Sequence, residues 1–196
     1  MIEGVELVDS FVFNPHKWMF TNFDCSAFYI RDPREFVRVF DIMPEYLKTR
    51  EDAAVTNYRD WGIALGRRFR ALKLWFVIRN HGVEGLQRLI RSHIEMARRL
   101  AEDIEGAADF ELLRRPKLSL LCFRYHPEDA DDAALDDLNE RLLYAANDSG
   151  KLYVSHTRMH GKYAIRFVVG QTGTQPRHVD AAWGMIQEIA RSLTRR

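Results

Sequence analysis

The chain has 196 residues, of which 29 are Lys or Arg and 28 are Asp or Glu, so its formal net charge is +1 at pH 7. This balance gives no field that would favour nucleic acid or a membrane surface as a partner, and no apolar run approaches the roughly 18 residues of a spanning helix. The start lacks the pattern of a signal peptide, and Cys25 and Cys122 form neither a metal-ligand spacing nor a disulfide framework, so a cytosolic protein is expected.

The first sixty residues predict two short strands and a long irregular stretch. Strands are predicted over residues 5–13 and 25–30, with a turn between them, after which Asp32 and Pro33 break the chain. Residues 41–60 show neither helical nor alternating periodicity. About 20 irregular residues in a compact domain indicate a lid or binding loop, or else a surface loop without a role.

Two helices follow. The first is predicted from Phe69 to residues 80–82 and is expected to be buried on most sides, because bulky apolar residues occupy it almost continuously. The second is amphipathic, with apolar residues at three- and four-residue steps over 83–104, and its His93 is interpreted as structural. A short basic cluster precedes and opens the first helix and is expected to pair with acidic side chains: Arg67, Arg68, Arg70 and Lys73.

The second half of the chain alternates between strands and helices. Strands are predicted over 118–123, 152–157 and 163–169, the last two as a hairpin, and helices over 131–147 and 176–193. The acidic start of the helix at 131 suits the positive end of its dipole, which favours a solvated helix start over a metal site. The pattern predicts a small α/β layer of mostly antiparallel sheet packed by helices.

The most informative residue is Lys17, which directly follows a histidine in the turn between the two N-terminal strands. Apolar and aromatic residues on both sides of the turn can desolvate an amine, which disfavours the ammonium form and makes lysine a better nucleophile. Lysines that form Schiff bases with carbonyl cofactors need such an environment. The alternative is an ordinary lysine whose stem lies on an apolar surface with its head in water.

Three ordered blocks of the sequence resemble group II pyridoxal-phosphate decarboxylases, and within them the aromatic L-amino acid decarboxylases. The first block is residues 9–18 followed by 22–26, the second is Asp60-Trp61 with residues 65–76, and the third is residues 161–163 with Arg166-Phe167. The resemblance implies an α/β fold, namely the C-terminal part of the type I (aspartate aminotransferase-like) fold. Residues 1–72 would end the large cofactor domain and residues 73–196 would form the small C-terminal domain.

The resemblance also implies roles for the lysine turn. Lys17 would carry pyridoxal 5'-phosphate as a covalent aldimine, and His16 and Asn14 would bind the cofactor, with His16 donating to its phosphate. Charge-assisted donors matter there because a phosphate carries close to two negative charges. Pro15 restricts the backbone of Asn14 and would stiffen the turn.

Two further residues take a role from the resemblance. Tyr46 lies in the middle of the irregular stretch, at the position of the family's catalytic loop tyrosine, and would protonate the substrate Cα after carbon dioxide leaves. Gly66 stands where relatives carry Gly or Ser according to ring preference, and would leave room for a larger aromatic substrate. A glycine before a helix explains Gly66 equally well.

The function that the resemblance implies is decarboxylation of an aromatic L-amino acid (tryptophan, DOPA or tyrosine type) to its amine and carbon dioxide by a homodimer, which is expected to be cytosolic. In the family a long portion precedes the lysine and supplies the carboxylate for the pyridine nitrogen, so this chain is expected to be a C-terminal fragment. The alternatives are a decarboxylase for another amino acid, an aromatic aldehyde synthase, or a non-catalytic association module.

Overall fold

A computed structural model describes residues 3–41, 50, 54–128 and 131–194 of the chain. By their internal contacts the residues separate into two compact units, Met1–Gly82 and Val83–Arg196. None of the helices in these described ranges is long and apolar enough to cross a membrane.

The first unit contains a two-stranded antiparallel sheet. Strand β1 (Ser10–Phe13) pairs with β2 (Ala27–Ile30), with Phe13 opposite Ala27. This confirms the two predicted strands in part. Residues Val5–Leu7 instead form a 3-10 turn, because the preceding Gly4 has a φ of 92° and turns the backbone away from an extended path.

Helix α1 (Pro33–Phe40) begins at the residues for which the sequence predicted only a break in regular structure. The Asp32 carboxylate accepts a hydrogen bond from the N–H of Arg34 at 3.0 Å, and Pro33 occupies the first helical position. An Asp N-cap followed by proline is a known start signal for a helix. A second 3-10 turn, Tyr58–Trp61, lies against α1 through a Phe36–Trp61 ring contact at 6.0 Å.

Helix α2 runs from Arg70 to Glu105, with a non-helical Gly82 (φ 64°, ψ 170°) at the boundary between the units. The predicted break at residues 80–82 is therefore confirmed. The predicted burial of the part before Gly82 is wrong for this chain: Leu72, Trp75 and Phe76 are 42%, 53% and 58% exposed. Among the described residues, none covers this apolar surface enough to bury it.

The second unit is a four-stranded antiparallel sheet packed by helices, as predicted. Its strands are β3 (Phe110–Arg114), β4 (Leu120–Tyr125), β5 (Ser155–Met159) and β6 (Lys162–Val168). They lie side by side in the order β3-β4-β6-β5. Helices α3 (Asp132–Asp148) and α4 (Pro176–Thr194) pack with it. The predicted hairpin joins β5 and β6; its turn residues His160 and Gly161 both have positive φ (52° and 82°), as in a type I′ turn.

The core of the second unit lies between the sheet and the helices. Trp183 of α4 packs edge-on against Phe110 of β3 at 4.7 Å, and Leu100 and Ile186 are almost completely buried. His93 of α2 is also buried, and burial lowers its pKa below the usual value, although a backbone hydrogen bond with Gln171 acts in the opposite direction.

Candidate functional site

The turn between β1 and β2 carries the predicted lysine. The N–H of Lys17 donates to the carbonyl of Asn14 at 2.9 Å, and the N–H of Thr21 donates to the carbonyl of buried Pro15 at 3.1 Å. These bonds fix the backbone on both sides of Lys17, whose side chain is exposed. The described residues of this chain therefore present the amine to solvent and do not supply the desolvation that the sequence suggested.

His16 is held by the backbone of Cys25, which is only 4% exposed. The His16 N–H donates to the Cys25 carbonyl at 3.2 Å. The ring Nδ1 lies 3.1 Å from the Cys25 nitrogen and 2.7 Å from the Cys25 oxygen. Because one donor and one acceptor of the same residue face Nδ1, that ring nitrogen has a partner whether or not it carries a proton. Nε2 is then the nitrogen left for another ligand.

Asn14 begins the same turn, directly after β1. Its Oδ1 accepts a hydrogen bond from the Ser26 hydroxyl at 2.6 Å, which joins the residue after β1 to the residue before β2. With the carbonyl oxygen engaged, the amide NH₂ of Asn14 remains the group that can donate to an anion. The structure thus brings Asn14, His16 and Lys17 together on one turn.

Asp24 connects this turn to the start of α2. Its carboxylate accepts a hydrogen bond from Nε of Arg70 at 3.0 Å and from an Nη atom of Arg68 at 3.1 Å. Partial desolvation acts to raise the pKa of Asp24, but the hydrogen bond from Arg70 and the two positive charges hold it below its usual value. The next residue, Cys25, also contacts Arg70, its Sγ lying 3.9 Å from the Arg70 carbonyl oxygen.

The other two predicted site residues are not placed in contact with the turn. Tyr46 lies outside the described residues. Gly66 is exposed, and a Cβ atom built on it would meet no atom within 4 Å in the described chain. The roles of both residues stay predictions.

Sequence reasoning missed Asp24 and Cys25 as parts of the site. The signal for Asp24 was indirect: the basic cluster at residues 67–73 was expected to pair with acids, and Arg68 and Arg70 do so with Asp24. Cys25 contacts the His16 ring through its backbone N–H and carbonyl, and the identity of a side chain does not predict such a backbone contact.

Comparison with known proteins identifies the family. The model of the pyridoxal-dependent decarboxylase conserved domain matches residues 1–126. Tyrosine decarboxylase 1 of Narcissus pseudonarcissus is 40% identical over 200 residues, with 98% of this chain and 39% of the relative covered. Phenylacetaldehyde synthase of Arabidopsis thaliana is 42% identical over 194 residues, with 98% of this chain and 40% of the relative covered.

A solved structure gives the same result for the fold. The crystal structure of Oryza sativa TDC with PLP and tryptamine aligns with a TM-score of 0.91 at 36% identity, over 97% of this chain and 40% of that chain. The predicted fold, the C-terminal part of the type I fold of pyridoxal-phosphate enzymes, is thereby confirmed. The chain spans about two fifths of the length of the relatives it matches. Because the family model covers well over half of its residues, the chain belongs to the pyridoxal-dependent decarboxylase family.

Proposed function

We propose that the complete polypeptide containing this chain is a pyridoxal-phosphate-dependent carboxy-lyase that converts an aromatic L-amino acid to its amine and carbon dioxide. The observation that carries the proposal is the lysine turn, where an exposed Lys17 follows a histidine whose ring is oriented by Cys25. Membership of the decarboxylase family supports it, as do relatives named as tyrosine and tryptophan decarboxylases.

The residues of the turn fit pyridoxal phosphate. The Lys17 amine is open to a carbonyl carbon, and the turn offers two donors, Nε2 of His16 and the amide of Asn14, for the oxygens of a phosphate. A Schiff-base lysine with phosphate donors on one rigid turn is the arrangement that a covalently bound phosphorylated aldehyde needs.

The chemistry divides between the bound group and the chain. When bound, pyridoxal phosphate supplies the electron sink for the pair released as the carboxylate leaves. Lys17 would hold the cofactor covalently through its amine, which would compete with the substrate and product amines for the same carbonyl carbon. His16 and Asn14 would orient the cofactor through its phosphate. The backbone hydrogen bonds from Lys17 to Asn14 and from Thr21 to Pro15 hold the backbone of Lys17 in place.

Tyr46 is the proposed proton donor. Its phenol would deliver a proton to the substrate Cα after decarboxylation, and a tyrosine here favours the amine over the aldehyde as product. Gly66 is proposed to leave space for the aromatic ring, which agrees with the open space around its Cα.

The proposed assembly is a cytosolic homodimer in which residues 1–72 end the large cofactor domain and residues 73–196 form the small domain. Exposed apolar side chains in the first unit support further contacts with other polypeptide, since such surface is rarely left in water; examples are Val12, Phe69 and Phe76, at 59%, 76% and 58% exposure.

An aromatic aldehyde synthase is the second candidate. The observation in its favour is the 42% identity to phenylacetaldehyde synthase, which lies within the 40–43% identity to the tyrosine and tryptophan decarboxylases. The product decides between them: an amine supports the decarboxylase, and an aldehyde supports the synthase.

The test uses the complete polypeptide with added pyridoxal phosphate. Borohydride reduction followed by peptide mapping should label Lys17, and the Lys17→Ala variant should lose the label and the visible absorbance band of the bound cofactor. Lys151→Ala, a change at an exposed lysine of the second unit, should keep both. Tyrosine, DOPA, tryptophan and histidine are then supplied in turn and the product is identified. A band that survives in Lys17→Ala removes Lys17 as the anchor, and no band in the wild type favours a non-catalytic association module.

A further inference from the structure

Asp24 has a place in the site that the proposed function does not assign. It is one residue from Cys25, whose N–H and carbonyl both face Nδ1 of His16, and its own carboxylate binds Arg68 and Arg70. A continuous path of short contacts therefore runs from the start of α2 to the histidine ring.

The contacts with Arg70 are the stronger part of this path. The side chains of Asp24 and Arg70 are 32% and 35% exposed, whereas that of Arg68 is 77% exposed. Ion pairs between exposed groups contribute little because water screens them, so the Arg70 bond should dominate. The Cys25 thiol, within 3.9 Å of the Arg70 carbonyl oxygen, gives a second link between the same two segments.

We propose that Asp24 is a positioning residue for phosphate recognition: held by Arg70, it fixes Cys25, and Cys25 fixes the His16 ring with Nε2 directed to the cofactor phosphate. Nε2 carries a proton when Nδ1 of the neutral ring accepts the Cys25 N–H, and also when the ring is protonated on both nitrogens and Nδ1 donates to the Cys25 carbonyl. Either form can donate from Nε2 to a phosphate oxygen.

The identity of the ligand in this proposal rests on the proposed function. The contacts that link Arg70, Asp24, Cys25 and His16 do not depend on it. Asp24 acts through His16 on the phosphate alone, so its loss should weaken binding of pyridoxal phosphate and leave binding of pyridoxal, which lacks the phosphate, unchanged. A merely structural role would weaken both ligands equally.

The experiment compares Asp24→Asn with Asp32→Asn in the complete polypeptide. Asp32 is a matched control, since it also accepts hydrogen bonds from an arginine, Arg34, is 42% exposed, and lies in the same unit. Asparagine keeps the N-cap function of that position. The dissociation constants of pyridoxal phosphate and pyridoxal are measured, together with hydrogen exchange of the Cys25 and His16 amides without ligand.

For Asp24→Asn we expect the preference for pyridoxal phosphate over pyridoxal to fall about tenfold, equivalent to about 1.4 kcal/mol, and both amides to exchange faster. Arg70→Gln should reproduce these effects, and the double variant should add little, because both changes break one interaction. Asp24→Glu, which keeps the charge, should recover part of the preference and covers the case in which Asp24→Asn does not fold. Asp32→Asn should behave as the wild type.

An unchanged preference in Asp24→Asn overturns the proposal, as does an equal loss of both ligands or an unchanged exchange rate of the two amides. If the wild type attaches neither ligand at Lys17, the proposed function fails. The exchange rates and the Arg70→Gln comparison then still decide whether Asp24 holds Cys25 against His16.

Discussion

Asn139 is the most informative residue for the stability of the second unit. It is fully buried in α3, and its side chain binds one residue of the sheet on both backbone groups: Oδ1 accepts the N–H of Tyr125 at 2.7 Å, and Nδ2 donates to the Tyr125 carbonyl at 2.8 Å. Nδ2 also donates to the carbonyl of Leu135 at 2.8 Å. Asn139→Ala would remove all three bonds.

The expected loss follows from burial. Tyr125 is 3% exposed, so water does not replace the two bonds to its backbone. A buried polar group left without a partner costs about 1–3 kcal/mol, which gives roughly 2–6 kcal/mol for two groups. Asn147 provides a matched control, since its side chain binds the N–H and carbonyl of Val154 in the same way, at 2.8 and 2.9 Å, from a half-buried position. Asn147→Ala should cost only about 1 kcal/mol, because Asn147, unlike Asn139, is itself partly exposed, so water can enter the space it vacates beside the buried Val154.

Urea unfolding followed by circular dichroism measures both variants against the wild type, with the slope of each transition checked for a change in mechanism. Hydrogen exchange of the Tyr125 and Val154 amides reports the local effect. Equal losses of unfolding free energy in the two variants would refute the reasoning, because burial is the difference on which it depends.

Three other outcomes are expected. The pKa of Asp136 lies below its usual value: desolvation acts to raise it, but the Tyr163 N–H bond at 2.7 Å and the hydrogen bond and charge of Arg158 together outweigh this. The contribution of Asp136 to stability is therefore present above its unfolded pKa and lost as pH falls through the lower folded pKa. Asp136→Asn should flatten the acid side of a stability–pH curve, and an unchanged curve contradicts this. Gly161→Ala should destabilise the second unit by about 1–2 kcal/mol, because the backbone at this position has a φ of +82°. Gly184→Ala, inside α4 with open space at its Cα, should instead stabilise the unit by about 1 kcal/mol. If thermal unfolding shows that both variants change the stability in the same direction, the backbone argument is rejected. Tyr46→Phe in the complete polypeptide should keep cofactor binding and shift the product from amine to aldehyde, and an unchanged product would remove Tyr46 from the mechanism.

The local patterns of the sequence predicted most of the second unit. Apolar spacing indicated α4, and a helix with an acidic start was predicted over 131–147, where α3 begins after Asp131, whose carboxylate accepts the N–H of Ala134 at 2.7 Å. Strand β3 was not predicted, because its five residues do not alternate and their pairing with β4 contains a register shift. Its place in the sheet comes from packing against β4 and Trp183, which no local pattern encodes.

In the first unit the burial of α2 was the main error. Continuous apolar residues indicate that a helix is covered, but they do not indicate which polypeptide covers it. Side chains such as Trp75 are exposed among the described residues of this chain, so periodicity alone could not separate a helix buried within the chain from one that offers an apolar surface.

The sequence by itself determined the lysine turn, the helix break at Gly82 and the β5–β6 hairpin, because each depends on residues close together along the chain. Only the tertiary structure brought Asp24 to Arg68 and Arg70, which lie 44 and 46 positions further on. It also turned the backbone of Cys25 towards His16, nine positions earlier. Contacts across such separations depend on the path of the intervening chain and on the loop entropy that packing must offset, and the identities of the two partners do not encode either.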